Sequence, residues 1–439
     1  MTGIAAGLTG FAVLLALMAI RIPIAVAMLA TGIAGYGLVS GWMPLMAFLK
    51  TNTYYQFSTY SLSVIPLFVL MGEFATHAGM SRALYRAAAA FMGHLRGGLA
   101  MASIGGCAAF GAICGSSLAT AATMGQVALP EMRRYNYSGA LATGSLAAGG
   151  TLGILIPPSV ILVLYALMTE QSIAKMFVAA MIPGIIAALG YMLAVAVYVR
   201  LRPEAGPAGP AATRAERIAA IKETWSIILI FGVVIVGMYR GWFTPTEGAA
   251  VGAFGTFVLA VLHGGLRLQG LVDCLLGTAK TSAMIFLIML GAEMFNAFLS
   301  ATQTPMLASQ MIVEAGLSPM MVLAAILLLY LAMGCVMDSM SMLLLTIPIF
   351  YPIIAGLDFG MSREDTLIWF GILAVVVVEV GLITPPVGMN VFVINGMARD
   401  VPMWESFKGV MPFLISDLLR IVLLVAFPAV TLWLVRAFG

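Results

Sequence analysis

The sequence predicts an all-α polytopic membrane protein made of two inverted repeats. Three observations carry that expectation. Hydrophobic residues make up 62% of the 439 residues and charged residues only 9%, with a mean hydropathy of +1.07; so few charges cannot cover a soluble domain of this size. A double proline interrupts a long apolar stretch in each half, and Gly153-Ile154-Leu155-Ile156-Pro157-Pro158-Ser159 recurs 228 residues later as Gly381-Leu382-Ile383-Thr384-Pro385-Pro386-Val387-Gly388. Each half also contains five crossings, an odd number, which turns one half upside down relative to the other.

The first repeat, 1–199, has apolar spans at about 4–20, 22–40, 57–77, 138–169 and 173–199. The stretch Ile4–Ile20 has no basic residues before it and is followed at once by Arg21 and a second apolar run, so it reads as a span and not as a signal peptide. Residues 200–224, rich in Pro, Ala, Gly and charge, read as a cytoplasmic linker. The second repeat, 225–439, has spans at about 225–240, 246–263, 270–297, 367–398 and 409–435. The spans 138–169 and 367–398 carry the double prolines, which lack an N–H, clash with the preceding turn and break the helix. Leu70-Met71-Gly72-Glu73-Phe74 and Leu290-Gly291-Ala292-Glu293-Met294 add to the repeat.

Two stretches are too short for a simple crossing. Residues 101–133 are interrupted at Gly115-Ser116-Ser117 and 320–355 at Met337-Asp338-Ser339-Met340-Ser341. Each arm of the first is about 14 residues, roughly 21 Å of helix against a ~30 Å hydrocarbon core. Both therefore read as re-entrant hairpins, and each half runs hairpin, then broken helix.

Charge orients the chain. With the N-terminus outside, Lys and Arg at 21, 82, 86, 96, 133, 134, 200, 202, 214, 217, 222, 267, 399 and 408 fall inside, and those at 50, 175, 240, 363 and 436 outside. All six tryptophans (42, 225, 242, 369, 404 and 433) fall near span ends and read as an aromatic belt. Met80–Arg96 reads as an interfacial amphipathic arm. No basic tract with interleaved aromatics points to nucleic acid. Cys107, Cys114, Cys274 and Cys335 lack metal-ligand spacing and read as core residues.

In hydrocarbon, a broken backbone survives only where protein or a wet cavity surrounds it. Matching breaks in two halves therefore point to an ion-coupled transporter with its site at the breaks. Hairpin tips and breaks supply backbone carbonyls and neutral oxygens. Ser116, Ser117, Thr120, Thr151, Gly153, Pro157 and Ser159 do so in the first half. Asp338, Ser339, Ser341, Gly381, Thr384, Pro385, Gly388 and Asn390 do so in the second. Such oxygen-rich, nitrogen-poor sets suit Na⁺ better than a transition metal. Ser116, Ser117, Thr151, Gly153, Pro157, Asp338, Ser339, Gly381, Thr384 and Pro385 are taken as sodium ligands; Ser159, Ser341, Gly388 and Asn390 are assigned to the substrate. The bland alternative makes the small residues helix-packing groups and Asp338 a helix cap. Glu73, Glu293 and Glu379 are further carboxylates in apolar spans, and Asp417 and Arg420, three apart, read as a pair. No GxxxxGK or HExxH occurs, and His77, His94 and His263 fall at span ends, which leaves no visible ATPase, zinc-protease or serine-protease site.

Taken in order, several stretches carry a family resemblance: Ile65–Glu73, Gly93-His94-Leu95-Arg96-Gly97-Gly98, Gly111–Ser117, Gly150–Ser159 and Gly381–Gly388. With them, the chain resembles the large membrane subunit of TRAP (tripartite ATP-independent periplasmic) transporters over nearly its whole length. Tyr135-Asn136-Tyr137 departs from the usual Gly-Tyr of the family. The resemblance implies sodium-coupled import of an organic acid anion (C4-dicarboxylate, sialic acid or a similar carboxylate) across a bacterial inner membrane. It implies an elevator mechanism, with about 101–170 and 320–398 moving against the other spans. It also implies two partners, a periplasmic substrate-binding protein and a small four-span membrane subunit, the latter expected as a separate chain because this one begins at its first own span. Competing readings are a stand-alone sodium/dicarboxylate carrier and a passive anion channel.

Overall fold

The computed structural model describes residues 3–314 and 316–438, and every regular element among them is helical. The first half comprises α1 (Gly3–Ala19), α2 (Ile24–Ser40), α3 (Trp42–Ser58), α4 (Val64–His77), α5 (Met80–Met92), α6 (Gly98–Cys114), α7 (Ser117–Arg134), α8 (Gly139–Leu155), α9 (Val160–Met168) and α10 (Ile173–Leu201). The second comprises α11 (Arg214–Tyr239), α12 (Pro245–Leu262), α13 (Leu268–Ala301), α14 (Thr304–Glu314), α15 (Pro319–Gly334), α16 (Ser339–Ala355), α17 (Arg363–Gly381), α18 (Met389–Met397), α19 (Met403–Ala426) and α20 (Ala429–Phe438). Of these, α10, α11, α12, α13 and α19 are each long and apolar enough to cross a bilayer. The pair α8–α9, bent by 42°, qualifies when taken together, as does α3 with the segment Tyr60–His77, bent by 58°.

Local chemistry sets many of the boundaries. Ser138, Ser172, Ser318 and Ser362 accept a backbone N–H at the starts of α8, α10, α15 and α17. Thr213–Glu216 and Thr244–Glu247 form reciprocal capping boxes that start α11 and α12. Between the helices of the first expected hairpin the chain turns at Gly115, whose φ of +62° lies in the left-handed region that a side chain would strain.

Four expectations need correction. The span expected at 57–77 is two elements, because the chain breaks at Thr59 and passes through a 3₁₀ turn before α4. The span expected at 409–435 breaks at Phe427-Pro428, where proline cannot continue the ladder. Residues 200–224 are not one loose linker. Helix α11 begins at Arg214, and the Pro/Gly stretch before it is docked, with Gly97 N–H donating to Gly206 O (2.8 Å), Ser138 N–H to Ala205 O (2.9 Å) and Gly209 N–H to Gly93 O (2.9 Å). Trp369 is not a belt residue: it is fully buried, and its indole N–H donates to Leu424 O at 2.9 Å. The other five tryptophans are exposed.

Helices α2, α4, α12 and α13 form one packed group, with α2 on α13 and α4 on both α12 and α13. Around the breaks the halves exchange elements. Helix α9, beyond the first break, packs on α16 of the second half, and α18, beyond the second break, packs on α7 and α8 of the first. Helices α10 and α19 pack on each other and on α8.

Candidate functional site

Helices α6 and α7 bring the Gly115-Ser116 turn onto the first break. A methyl group on Gly115 would lie 3.6 Å from Pro158 O, and one on Gly153 would lie 2.5 Å from Thr120 Oγ1 and 2.9 Å from Ser116 O. Ser116 caps α7, its Oγ accepting from Ala119 N–H at 3.4 Å. Pro157 and Pro158 are buried and joined by a cis peptide. Two hydroxyls here, Thr120 Oγ1 and Ser159 Oγ, are buried without a hydrogen-bond partner. Each leaves an oxygen able to accept a ligand, as do several buried polar atoms elsewhere in the protein.

At the second break, α15 and α17 meet backbone to backbone: a methyl on Gly381 would lie 2.5 Å from Gly334 Cα. Gly388, with φ +61°, donates its N–H to Cys335 O at 3.3 Å, which ties the break to the hairpin turn. Asp338 caps α16 by accepting Ser341 N–H at 3.0 Å. The Thr384 hydroxyl donates to Val380 O at 2.7 Å, which leaves its oxygen lone pairs free to accept. Pro385 and Pro386, also joined by a cis peptide, are exposed. Asn390 donates its amide to Ala147 O (3.2 Å), and its Oδ1 is buried without a partner.

Between the two turns sits Glu379, fully buried on α17. Ser339 donates its hydroxyl to Glu379 Oε1 at 2.6 Å, and Ser117 donates to Glu379 Oε2. A second polar chain leaves the first break, with Thr151 Oγ1 3.0 Å from Tyr191 OH and Tyr191 OH donating to Asp417 Oδ2 at 2.8 Å. Asp417 in turn pairs with Arg420 at 2.7 Å, both buried.

The family described as Tripartite ATP-independent periplasmic transporter, DctM component, matches residues 11–430. The chain belongs to this family. Among relatives, the C4-dicarboxylate TRAP transporter large permease protein DctM of Pseudomonas aeruginosa is 38% identical over 87% of each chain. The sialic acid TRAP transporter large permease protein SiaM of Vibrio cholerae is 31% identical over 86% of this chain and 87% of that one. The crystal structure of the Alcanivorax borkumensis YdaH transporter shares the fold, with a TM-score of 0.62 at 13% identity over 88% of this chain and 89% of that one. The protein is accordingly a multi-pass membrane transporter component and not an enzyme.

In this TRAP permease the expected site residues divide into those gathered at the breaks and those turned elsewhere. Ser116, Gly153, Pro157 and Ser159 lie at one junction, and Asp338, Gly381, Thr384, Pro385 and Gly388 at the other. Ser117 and Ser339 turn to Glu379, and the Thr151 side chain is directed at Tyr191 on α10. Ser341 contributes its backbone N–H to the Asp338 cap. Sequence reasoning singled out Glu379 among the intramembrane carboxylates by its place two residues before Gly381 and paired Asp417 with Arg420, as the structure shows; it missed Tyr191. A groove of about 1590 Å³ between α10 and α19 touches Arg420 but none of the break residues.

Proposed function

We propose that this TRAP permease is the large subunit of a sodium-coupled, binding-protein-dependent transporter that imports an organic acid anion across the bacterial inner membrane. A C4-dicarboxylate is the favoured cargo. The observation that carries the reading is the 38% identity, over 87% of both chains, to a large permease named for C4-dicarboxylates. Sodium is a second transported substrate in this reading, one ion at each junction of hairpin turn and break. The accepting oxygen of Thr384 and the unpartnered oxygens of Thr120 and Ser159, the last reassigned here from the substrate to sodium, are the hard neutral ligands that Na⁺ takes. A small membrane subunit and a periplasmic substrate-binding protein complete the assembly. The unit that moves extends beyond 101–170 and 320–398 to include α10 and α19, because Tyr191 on α10 bonds Thr151 beside the first break and Asp417 on α19 holds Tyr191.

The test is uptake of labelled succinate into proteoliposomes containing the chain and its small subunit, with binding protein outside and an inward sodium gradient. Uptake that needs both the binding protein and sodium supports the reading. Uptake by this chain alone makes it a stand-alone carrier, and anion current without sodium makes it a passive channel. Sialic acid uptake in place of succinate changes the cargo class and keeps the rest.

A further inference from the structure

Glu379 is the least expected group in the transport core. It is fully buried, and it has no ion-pair partner among the described residues. The buried charges Arg420 and Asp417 are engaged with each other. A lone carboxylate in that setting needs compensation, and the structure shows where it comes from. Ser117 is the first residue of α7 and Ser339 the first of α16. Both oxygens of Glu379 are thus held by hydroxyls at helix N-termini, where unpaired N–H groups and the helix dipole favour negative charge.

The two serines occupy equivalent places in the two halves, each directly after the residue that caps its hairpin helix, Ser116 or Asp338. One carboxylate therefore holds both tips. Its backbone belongs to α17, two residues from Gly381, where α17 touches Gly334 of the second hairpin. A displacement of either tip must stretch a bond to Glu379 and so load the other tip.

We infer that Glu379 is a positioning residue that couples the two hairpin tips, so that the two sodium sites fill cooperatively. The inference rests on the sodium reading above. By reciprocity, occupancy at either tip raises affinity at the other by the same factor.

The experiment uses the complete reconstituted transporter and titrates sodium against uptake, reading the Hill coefficient and half-saturating sodium in wild type, Glu379→Gln, Ser117→Ala, Ser339→Ala and the double serine variant. Wild type should show a Hill coefficient above unity. Glu379→Gln should bring it to about one and raise half-saturating sodium roughly tenfold. Each serine variant should give part of that change, and together they should reproduce it. A purely structural role would lower maximal uptake or melting temperature and leave the Hill coefficient alone. If Glu379→Gln fails to fold, the serine variants, each lacking one hydroxyl, carry the same measurement. Sodium-activated wild type with an undiminished Hill coefficient in every folded variant overturns the coupling alone. Wild-type uptake indifferent to sodium overturns the sodium reading itself.

Discussion

The two Pro-Pro breaks share a motif but not a setting. At the first, Pro157, Pro158 and Ser159 are all buried, and the polar chain from Thr151 through Tyr191 to Asp417 and Arg420 braces the helix from behind. At the second, Pro385 and Pro386 are exposed, and Thr384 and Asp338 are only half-buried. The double proline dictates where the backbone is interrupted. How far the interruption is wrapped depends on neighbours: α10 and α19 back the first break, and between α17 and α18 seven residues, 382–388, span the second.

The brace provides the largest expected effect. Asp417→Asn leaves Arg420 buried without a counter-charge and should destabilise the protein by about 3–5 kcal/mol. Thermal unfolding of the purified protein would show it, and replacing both Asp417 and Arg420 with Leu should restore most of the loss. If Asp417→Asn melts like wild type, the first break is not braced and the contrast with the second disappears.

Glycine contacts sharpen the comparison from the other direction, because at this level the two junctions are equally tight. Gly153→Val drives a side chain into Thr120 and Ser116 O, and Gly381→Val into Gly334. Each should cost about 3 kcal/mol of stability and abolish uptake. A tolerated Gly381→Val with a lethal Gly153→Val would mean that the second junction is open throughout.

Next come the ligands. Asp338→Asn keeps the cap, which Asn performs about as well, and removes the charge. Sodium activation of uptake should weaken roughly tenfold where that charge serves the second site, since an interaction with a charged group contributes about 1.5–3 kcal/mol. Full uptake by the Asn variant at ordinary sodium would reduce Asp338 to a cap. Ser116→Ala and Thr384→Ala should each raise half-saturating sodium by about fivefold, the loss of one oxygen ligand. Unchanged sodium dependence in both would remove the assignment of either junction to sodium.

The smallest effect concerns orientation. A single cysteine at Ala212 should stay unlabelled by an impermeant thiol reagent in intact cells, with Lys- and Arg-rich turns on the cytoplasmic side. Rapid labelling would overturn the orientation expected for both hairpins.

What the sequence revealed was the interruptions set by the paired prolines and by Gly115, while the single Pro428 passed unread inside an apolar span. The turn at Gly115 and the interruptions after Leu155 and Gly381 lie where the residues placed them. Side-chain direction was hidden. Thr151 and Ser159 are hydroxyls of similar character at the same break, yet one is committed to Tyr191 and the other is unpartnered. Tyr191 lies in an apolar helix of 29 residues with nothing in its neighbours to set it apart, because its partner Asp417 is 226 residues away. Trp369 misled for a related reason, since position near a span end cannot tell a lipid-facing ring from one packed beneath α19. Residues 214–223, rich in Ala, Arg, Glu and Lys, read as linker because they are polar, although those same residues favour helix.

The exchange of α9 and α18 between the halves sets an order of events during synthesis. Helix α7 is finished at Arg134, but α18, which packs on it, does not begin until Met389. At about 5–20 residues per second the ribosome needs roughly 13–51 seconds to make the intervening chain. Throughout that interval Ser116, Ser117 and their turn have neither α18 nor Glu379 to receive them. The nascent first half is a dependent intermediate, and the last third of the chain completes it.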